Sequence, residues 1–193
     1  MSKSAGISTF VRPQNMDEIV GLDHIKKTLY YDINGCLKLN EPFPSYIIFG
    51  PPGCSKSTVA GIIANICKGN IHKYIGTELR KADDIYQIGQ TANDKDVIYV
   101  EEAHGIGKAA QIILLEWIEN FKLLGGGEYG SLDAPRVSFV FPTTNPGKLV
   151  KPLRERCRTL QTSYYKIDEI KEILRRAGSK YDINLSTDDD ALT

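Results

Sequence analysis

A loop with the residues to bind phosphate follows the first strongly apolar run of the chain. Residues 45–58 read SYIIFGPPGCSKST, so the apolar run ends at a glycine and passes through a Pro/Gly turn into a lysine and two hydroxyl residues. In such a loop, backbone N–H groups surround the phosphates, the lysine reaches the β and γ oxygens, and the next hydroxyl binds Mg²⁺. The expected nucleotide-binding residues are Gly50, Pro51, Pro52, Gly53, Cys54, Ser55, Lys56, Ser57 and Thr58, with Ser57 also a metal ligand.

One position of this loop departs from the usual pattern. The glycine that normally precedes the lysine is Ser55, which adds a Cβ where the backbone closes on the phosphates. The order of strand, loop and helix is still the one that phosphate binding requires. The loop therefore predicts a site for ATP and Mg²⁺, and an ordinary Gly/Pro turn is the alternative.

Two carboxylates follow another apolar run. DVIYVEEAH places Glu101 and Glu102 at the carboxyl end of a predicted buried strand, where α/β sheets gather ligand-binding groups. We expect Glu101 to bind Mg²⁺ and Glu102 to orient and deprotonate the attacking water. The usual first residue is aspartate, so Glu101 reaches one methylene further. Two solvated acids at a strand end are the alternative, and His104 is expected to support the site or lie on the surface, not to bind metal.

Polar and basic groups follow the next predicted strand. VSFVFPTTNPG places Thr144 where it could contact the γ-phosphate or the attacking water, with ordinary turn chemistry before Pro146 as the alternative. KPLRERC then predicts a short helical turn that carries Arg154 and Arg156. These arginines are candidates for insertion into the ATP site of a neighbouring subunit, and solvated helix charge is the alternative.

Alternating strands and helices are predicted to position these groups. The apolar spacing predicts helices over residues 22–37, 59–66, 79–90, 109–121 and 167–177, and strands over 46–49, 72–75, 97–100, 137–141 and 158–161. This alternation implies a parallel sheet with both faces covered. Residues 186–188, read as Ser-Thr-Asp, are typical of the N-cap of a further helix.

Composition narrows the class of protein. The 193 residues suffice for one well-buried domain and a fragment of a second. Lys+Arg and Asp+Glu number 24 each, so no global basic field attracts nucleic acid, and any DNA contact must be local or shared among subunits. The scattered cysteines have no metal-binding spacing and suit free thiols in a reducing cytosol. No apolar run predicts a signal peptide or a membrane span, so we expect a cytoplasmic protein with no membrane partner.

In this order, the motifs resemble the AAA+ class of ATPases, and most closely the Holliday-junction branch-migration helicase, or RuvB, family. The resemblance runs from about Phe10 to the C-terminus and rests on FVRPQNMDEIVG, IIFGPPGCSKSTVAGIIAN, ELRKADDI, DVIYVEEAH, LEWIENFKL and TTNPGKLVKPLRERC. Some AAA+ ATPases also carry a CSK version of the loop. The implied fold is an α/β P-loop NTPase with a five-stranded parallel sheet, helices on both faces, and the start of a small helical lid.

The resemblance also implies roles for particular residues. Thr144 would be sensor 1, and Arg156 would be an arginine finger that acts on a neighbouring subunit. Residues 122–136 would form a hairpin that contacts DNA or partner proteins, although a surface loop is an equal interpretation. The residues around the adenine would be Arg12, Pro13, Ile19, Val20 and Tyr165.

The predicted organisation is a flexible N-terminal segment over residues 1–11, an AAA+ core over 12–163 and an incomplete helical lid over 164–193. The expected function is that of the ATP-binding and ATP-hydrolysing module of a branch-migration motor in recombination or repair. Its expected partners are other subunits of a ring or hetero-oligomer, weakly bound junction or duplex DNA, and a junction-binding protein.

Two alternative functions stay open. A clamp-loader-like replication ATPase is one, because the ERC sequence that ends at Cys157 resembles the SRC signature of those subunits. A nucleotide-dependent switch with little turnover is the other, because Ser55, Glu101 and the incomplete lid all depart from the usual ATPase pattern.

Overall fold

Five parallel strands form the central sheet of the protein, as a computed structural model shows it. The structure describes residues 13–39, 41–67, 69–124 and 131–179. Strands follow the order β2-β3-β6-β1-β7 across the sheet, and every neighbouring pair is parallel. Their bounds are β1 Tyr46–Phe49, β2 Ile71–Ile75, β3 Val97–Glu101, β6 Ser138–Thr143 and β7 Arg158–Gln161, while β4 Lys122–Leu124 and β5 Ser131–Asp133 form a separate antiparallel pair.

Helices connect the strands and cover the sheet. They are α1 Asp23–Leu39, α2 Lys56–Cys67, α3 Ala82–Thr91, α4 Lys108–Asn120, α5 Lys151–Arg156 and α6 Ile167–Ser179. Single 3₁₀ turns lie at Gly76–Glu78, Ala103–Gly105 and Pro146–Lys148. None of the helices within the described residues is both long and apolar enough to cross a lipid bilayer.

Two apolar layers pack against the two faces of the sheet. Successive strand residues point to opposite faces, so Ile47 joins the layer beneath α3 and α4 while Tyr46 and Ile48 join the layer beneath α1 and α2. Trp117 of α4 is fully buried, meets the ring of Phe139 edge-on at 5.1 Å, and donates its indole N–H to the carbonyl of residue 135 at 2.8 Å. The predicted parallel sheet with both faces covered is confirmed.

Several element boundaries differ from the sequence prediction by one to three residues, and two of these differences have a local cause. Helix α3 begins at Ala82, not at residue 79, because the carboxylate of Asp84 accepts the backbone N–H groups of Arg80 and Lys81 at 2.7 Å each. These two hydrogen bonds, Lys81 first, lower the pKa of Asp84. Strand β6 continues to Thr143, because its pairing with β1 extends to the last residue of that strand.

The hairpin implied by the family resemblance is present as β4 and β5. Lys122 pairs with Asp133, and Leu123 pairs with Leu132. The turn between these strands lies outside the described residues, and so do Arg12 and the predicted N-cap at residues 186–188.

Candidate nucleotide-binding site

The loop between β1 and α2 has the backbone geometry of a phosphate cradle. Gly53 has φ +74°, a left-handed value that residues other than glycine rarely adopt. Gly50 has φ +154°, and a Cβ there would meet the backbone carbonyl and hydroxyl of Thr162. Helix α2 then begins at Lys56, and its first backbone N–H groups face the loop, where they and the helix dipole favour an anion.

A cavity of about 400 Å³ opens at the carboxyl ends of β1, β3 and β6. It brings together residues predicted from three separate motifs. Lys56 lies at its edge and donates from Nζ to the carbonyls of Gly50 and Pro51 at 2.9 and 2.6 Å. The lining residues are Pro52, Gly53, Cys54, Ser55, Lys56, Ser57, Thr58, Tyr99, Glu101, Glu102, His104, Pro142, Thr143 and Thr144.

The donor atoms in this cavity fit a magnesium ion. Ser57 offers a hydroxyl and Glu101 a carboxylate, and both residues line this cavity. Mg²⁺ takes oxygen ligands, and it usually binds through one or two carboxylates together with water and substrate phosphates. Within the described residues no cluster of three or more His, Cys, Asp or Glu side chains forms a metal cage.

The second glutamate lies on strained backbone. Glu102 has φ +50°, the left-handed region, and leads directly into the 3₁₀ turn Ala103–Gly105. Gly76 permits this arrangement, because a Cβ there would meet the backbone carbonyl of Glu102. Such conformations cluster at functional sites, where the surrounding structure holds them in place.

A hydroxyl that the sequence did not single out connects two walls of the cavity. Thr143 is 2% exposed, and its Oγ1 lies 3.2 Å from Nδ1 of His104 and accepts the N–H of Asn145 at 3.1 Å. His104 therefore lies beside Glu102 and contacts the end of β6. Of the two adjacent threonines, Thr143 is buried and Thr144 is exposed to the cavity. The doublet was visible in the sequence, but only the strand pairing shows which side chain points inward.

A second, smaller cavity of about 100 Å³ adjoins the first. Four of the five residues predicted near the adenine line it, namely Pro13, Ile19, Val20 and Tyr165. The phosphate-loop residues Ser55 and Thr58, also predicted to bind the nucleotide, line this cavity as well. Sequence reasoning missed Glu18 and the residues that the distant helix α6 supplies, which are Ile173, Arg176 and Ala177.

Arg156 lies away from both cavities. Its guanidinium donates to Glu119 of α4 at 2.6 Å, and its side chain is 46% exposed. This hydrogen bond and ion pair raise the pKa of Arg156 and lower the pKa of Glu119. Arg156 is therefore a surface residue of its own subunit.

The sheet order, the cradle at the start of α2 and the paired glutamates at the end of β3 define a P-loop NTPase of the AAA+ class. Comparison with known proteins specifies the family. The family model described as "Holliday junction DNA helicase RuvB P-loop domain" matches residues 11–162. The chain belongs to this family.

Individual relatives agree with this result. The chain is 33% identical to the Holliday junction branch migration complex subunit RuvB of Thermotoga petrophila over 91% of its length, and also 33% identical to that of Kosmotoga olearia over 94%. The structure of the Thermotoga maritima RuvB Holliday junction branch migration motor matches with a TM-score of 0.82 at 32% identity, covering 92% of this chain and 57% of that one. The chain spans about half the length of the curated relatives it matches, 55% and 54% in these two cases.

Proposed function

We propose that this chain is the ATP-binding and ATP-hydrolysing module of a Holliday-junction branch-migration motor. The observation that carries the proposal is the cavity of about 400 Å³, where Lys56, Ser57, Glu101, Glu102 and Thr144 meet although they come from three distant motifs. A phosphate-binding lysine, oxygen ligands for magnesium and a carboxylate that can act as a base are the groups that phosphoryl transfer needs.

Each of these groups has a proposed task. Lys56 and the backbone N–H groups of the loop bind the β- and γ-phosphates. Ser57 and Glu101 would hold Mg²⁺, which when bound supplies charge neutralisation for the phosphate oxygens. Glu102 orients water and accepts its proton, while Thr144 contacts that water or the γ-phosphate.

The smaller cavity is the proposed site for the base. Its apolar wall of Pro13, Ile19 and Val20 suits the flat face of an adenine, and Tyr165 lies on the same cavity. Arg12, which directly precedes this wall in the sequence, is proposed to border the base as well.

The assembled form is proposed to be a ring in which Arg156 completes the site of a neighbouring subunit. In favour of this role, Arg156 lies on the surface, 46% exposed, and does not line the cavities of its own chain. An arginine supplied by a neighbour stabilises the charge that develops on the transferred phosphoryl group.

The remaining parts of the proposal concern DNA and the lid. We assign residues 12–163 to the ATPase core, with the β4–β5 hairpin as the contact for junction DNA or a junction-binding protein. Residues from 164 onward begin a helical lid, because Ile167, Ile170 and Leu174 of α6 are 67%, 38% and 42% exposed and share one helix face that further lid structure would cover.

Steady-state ATP hydrolysis with and without four-way junction DNA tests the proposal. We expect Glu102→Gln to lower turnover by about 10²–10⁴-fold, and Arg156→Ala by about 10³-fold or more. Lys151→Ala is the matched control, because Lys151 is a basic and exposed residue of the same helix. Its turnover should equal that of the unmodified protein.

Mixing the two inactive variants makes the experiment sharper. If the site is shared, a Glu102→Gln subunit supplies its intact arginine to an Arg156→Ala subunit, and turnover returns in the mixture. Recovery would support a shared site in a ring. Slow turnover that neither variant changes, and that does not depend on protein concentration or DNA, would contradict the motor and favour the nucleotide-dependent switch.

A further inference from the structure

Ser55 forms a hydrogen bond that its position in the loop would not suggest. Its backbone has φ +55°, so a serine occupies a left-handed conformation at the place where the phosphate-loop pattern has glycine. The side chain that glycine would lack extends to Tyr165, 110 residues further along the chain, and the two hydroxyl oxygens are 2.5 Å apart.

This contact lies at the boundary between the two cavities. Ser55 lines both of them, while Tyr165 lines the smaller one. A nucleotide with its phosphates in the larger cavity and its base in the smaller one must pass this boundary with its ribose. The smaller cavity measures about 100 Å³ and the larger one about 400 Å³, so the narrow part of the combined site is the part that would hold the base.

The contact also joins two separate parts of the chain. Tyr165 comes just before α6, and that helix supplies Ile173, Arg176 and Ala177 to the smaller cavity. Arg176 in turn donates to the backbone carbonyls of residues 17 and 18 at 3.3 and 3.1 Å. The Ser55–Tyr165 bond thus joins the segment just before α6 to the phosphate loop, and widening the cavity by moving α6 away from that loop would break the bond.

We propose that the hydrogen bond between Ser55 and Tyr165 is a latch that controls entry of the nucleotide base. The inference rests on the proposed function, because it takes the two cavities to be the sites for phosphate and base. The latch opposes binding of a whole nucleotide by the free energy needed to break it. It does not oppose binding of a ligand that occupies the phosphate cavity alone.

Calorimetric titration with two probes, ADP and pyrophosphate, each with Mg²⁺, tests the latch. Tyr165→Phe keeps the aromatic ring and removes one hydroxyl, while Ser55→Ala removes the other. Each should bind ADP about 2- to 10-fold more tightly, the range that one neutral hydrogen bond allows. Tyr165→Phe, whose residue does not line the phosphate cavity, should keep its pyrophosphate affinity unchanged. The double variant should gain no more than either single variant, because both changes remove the same bond.

Two further variants separate the bond from other causes. Tyr164→Phe is the matched control, because Tyr164 is the neighbouring tyrosine and is 74% exposed, and its ADP affinity should stay unchanged. Ser55→Gly should gain as much ADP affinity as Ser55→Ala if loss of the hydrogen bond causes the gain. Glycine also relieves the strain of the left-handed backbone, and alanine does not.

The contrary outcomes are distinct. Weaker ADP binding by Tyr165→Phe would overturn the latch and make the hydroxyl a group that positions the base. Equal gains in affinity for ADP and pyrophosphate in Tyr165→Phe would overturn the latch in favour of a change in the loop itself. Unchanged ADP affinity in both single variants would also overturn it. If the unmodified protein bound neither probe, the proposed function itself would be overturned.

Discussion

The two edges of the sheet, where the strands begin and where they end, use carboxylates differently. At the amino-terminal edge, Asp96 is 2% exposed and its carboxylate is surrounded by hydrogen-bond donors. At the carboxyl-terminal edge, Glu101 and Glu102 are exposed beside a cavity. Asp96 accepts the backbone N–H groups of Asn70 and Asn93 at 2.8 and 2.9 Å and lies 2.8 Å from Nε2 of His72. A carboxylate thus stabilises the fold at one edge and is available to a ligand at the other.

A second buried carboxylate at the amino-terminal edge follows the same rule. Asp32 is 8% exposed, accepts the hydroxyl of Tyr46 at 2.9 Å and forms an ion pair with Arg158 at 3.2 Å. Burial first, and then the charge of Asp32, raise the pKa of Tyr46 far above its ordinary value. Its hydroxyl therefore stays protonated and remains a donor.

The difference between the edges shows where function can reside. A buried polar group that loses its partner costs stability, so the amino-terminal edge is constrained by folding. The exposed groups of the carboxyl-terminal edge have no such task, and their positions are determined by the strand ends and by strained backbone at residues such as Glu102. Substitutions at the two edges should therefore change different measured quantities.

The largest expected effect is on binding, at the carboxyl-terminal edge. Lys56→Ala should weaken ATP binding by about 100-fold or more, because hydrogen bonds to charged groups contribute about 1.5–3 kcal/mol each and the lysine serves two phosphates. Equilibrium titration with ATP and Mg²⁺ measures this change. Lys27→Ala is the control, because Lys27 is a lysine of a different helix, α1. Equal losses of ATP affinity in both variants would contradict the assignment of Lys56.

The next effect is on stability, at the amino-terminal edge. Asp96→Ala should lower the free energy of unfolding by about 3 kcal/mol, because it removes the acceptor of two backbone N–H groups and each hydrogen bond to a charged group contributes about 1.5–3 kcal/mol. Chemical denaturation measures the loss. The folded fraction should bind ATP with unchanged affinity, and a large loss of affinity in protein that is fully folded would break the distinction between the edges.

A smaller effect is expected at Thr143, a buried hydroxyl at the carboxyl-terminal edge. Thr143→Val keeps the shape but removes the acceptor for Asn145 and the contact with His104, so it should cost about 1 kcal/mol of unfolding free energy. Turnover should also fall, because this contact positions residues beside Glu102. Thr143→Ser keeps the hydroxyl and should have the stability and turnover of the unmodified protein. Turnover as low as that of Thr143→Val would show that the hydroxyl of Thr143 does not support the reaction.

The smallest effect is a dependence of stability on pH. Burial alone would raise the pKa of Asp96, but hydrogen bonds from Asn93, His72 and Asn70 outweigh it and lower the pKa. A carboxyl whose pKa is lowered in the folded state stabilises it above the unfolded value of about 3.9, and this contribution disappears as the pH falls through the folded pKa.

Denaturation of the unmodified protein and of Asp96→Asn, from pH 7 downward, isolates this contribution. The stability difference between the two proteins should be constant at neutral pH and shrink below about pH 4. A difference that stayed constant down to the lowest pH at which both proteins fold would show that the charge of Asp96 does not stabilise the fold.

The sequence was most informative where the signal is local. The apolar runs that end at Phe49 and Val100 predicted buried strands, and the Gly/Pro loop before Lys56 predicted the cradle between strand and helix. The start of α3 was harder to predict. The carboxylate of the third residue of that helix accepts backbone N–H groups ahead of it, so residues 79–81 do not continue the helix.

Contacts between distant residues were not accessible from the sequence. Ser55 was seen only as a departure from a motif, because its partner Tyr165 is 110 residues away. Likewise, the ion pair of Arg156 with Glu119 and the donors around Asp96 depend on how helices and strands pack. Most residues that line the larger cavity could be predicted, whereas the α6 side of the smaller cavity and the contacts that hold these residues required the fold.

Thermal unfolding of three proteins, with and without ATP and Mg²⁺, tests the contrast between the edges most directly. The unmodified protein should be stabilised by ATP, because a ligand that binds only the folded state raises the free energy of unfolding. Asp96→Ala should melt at a lower temperature yet show a comparable rise with ATP, while Lys56→Ala should melt like the unmodified protein and show no rise. An equal rise with ATP in Lys56→Ala would contradict the account, because ATP would then bind without the residue at the centre of the proposed site.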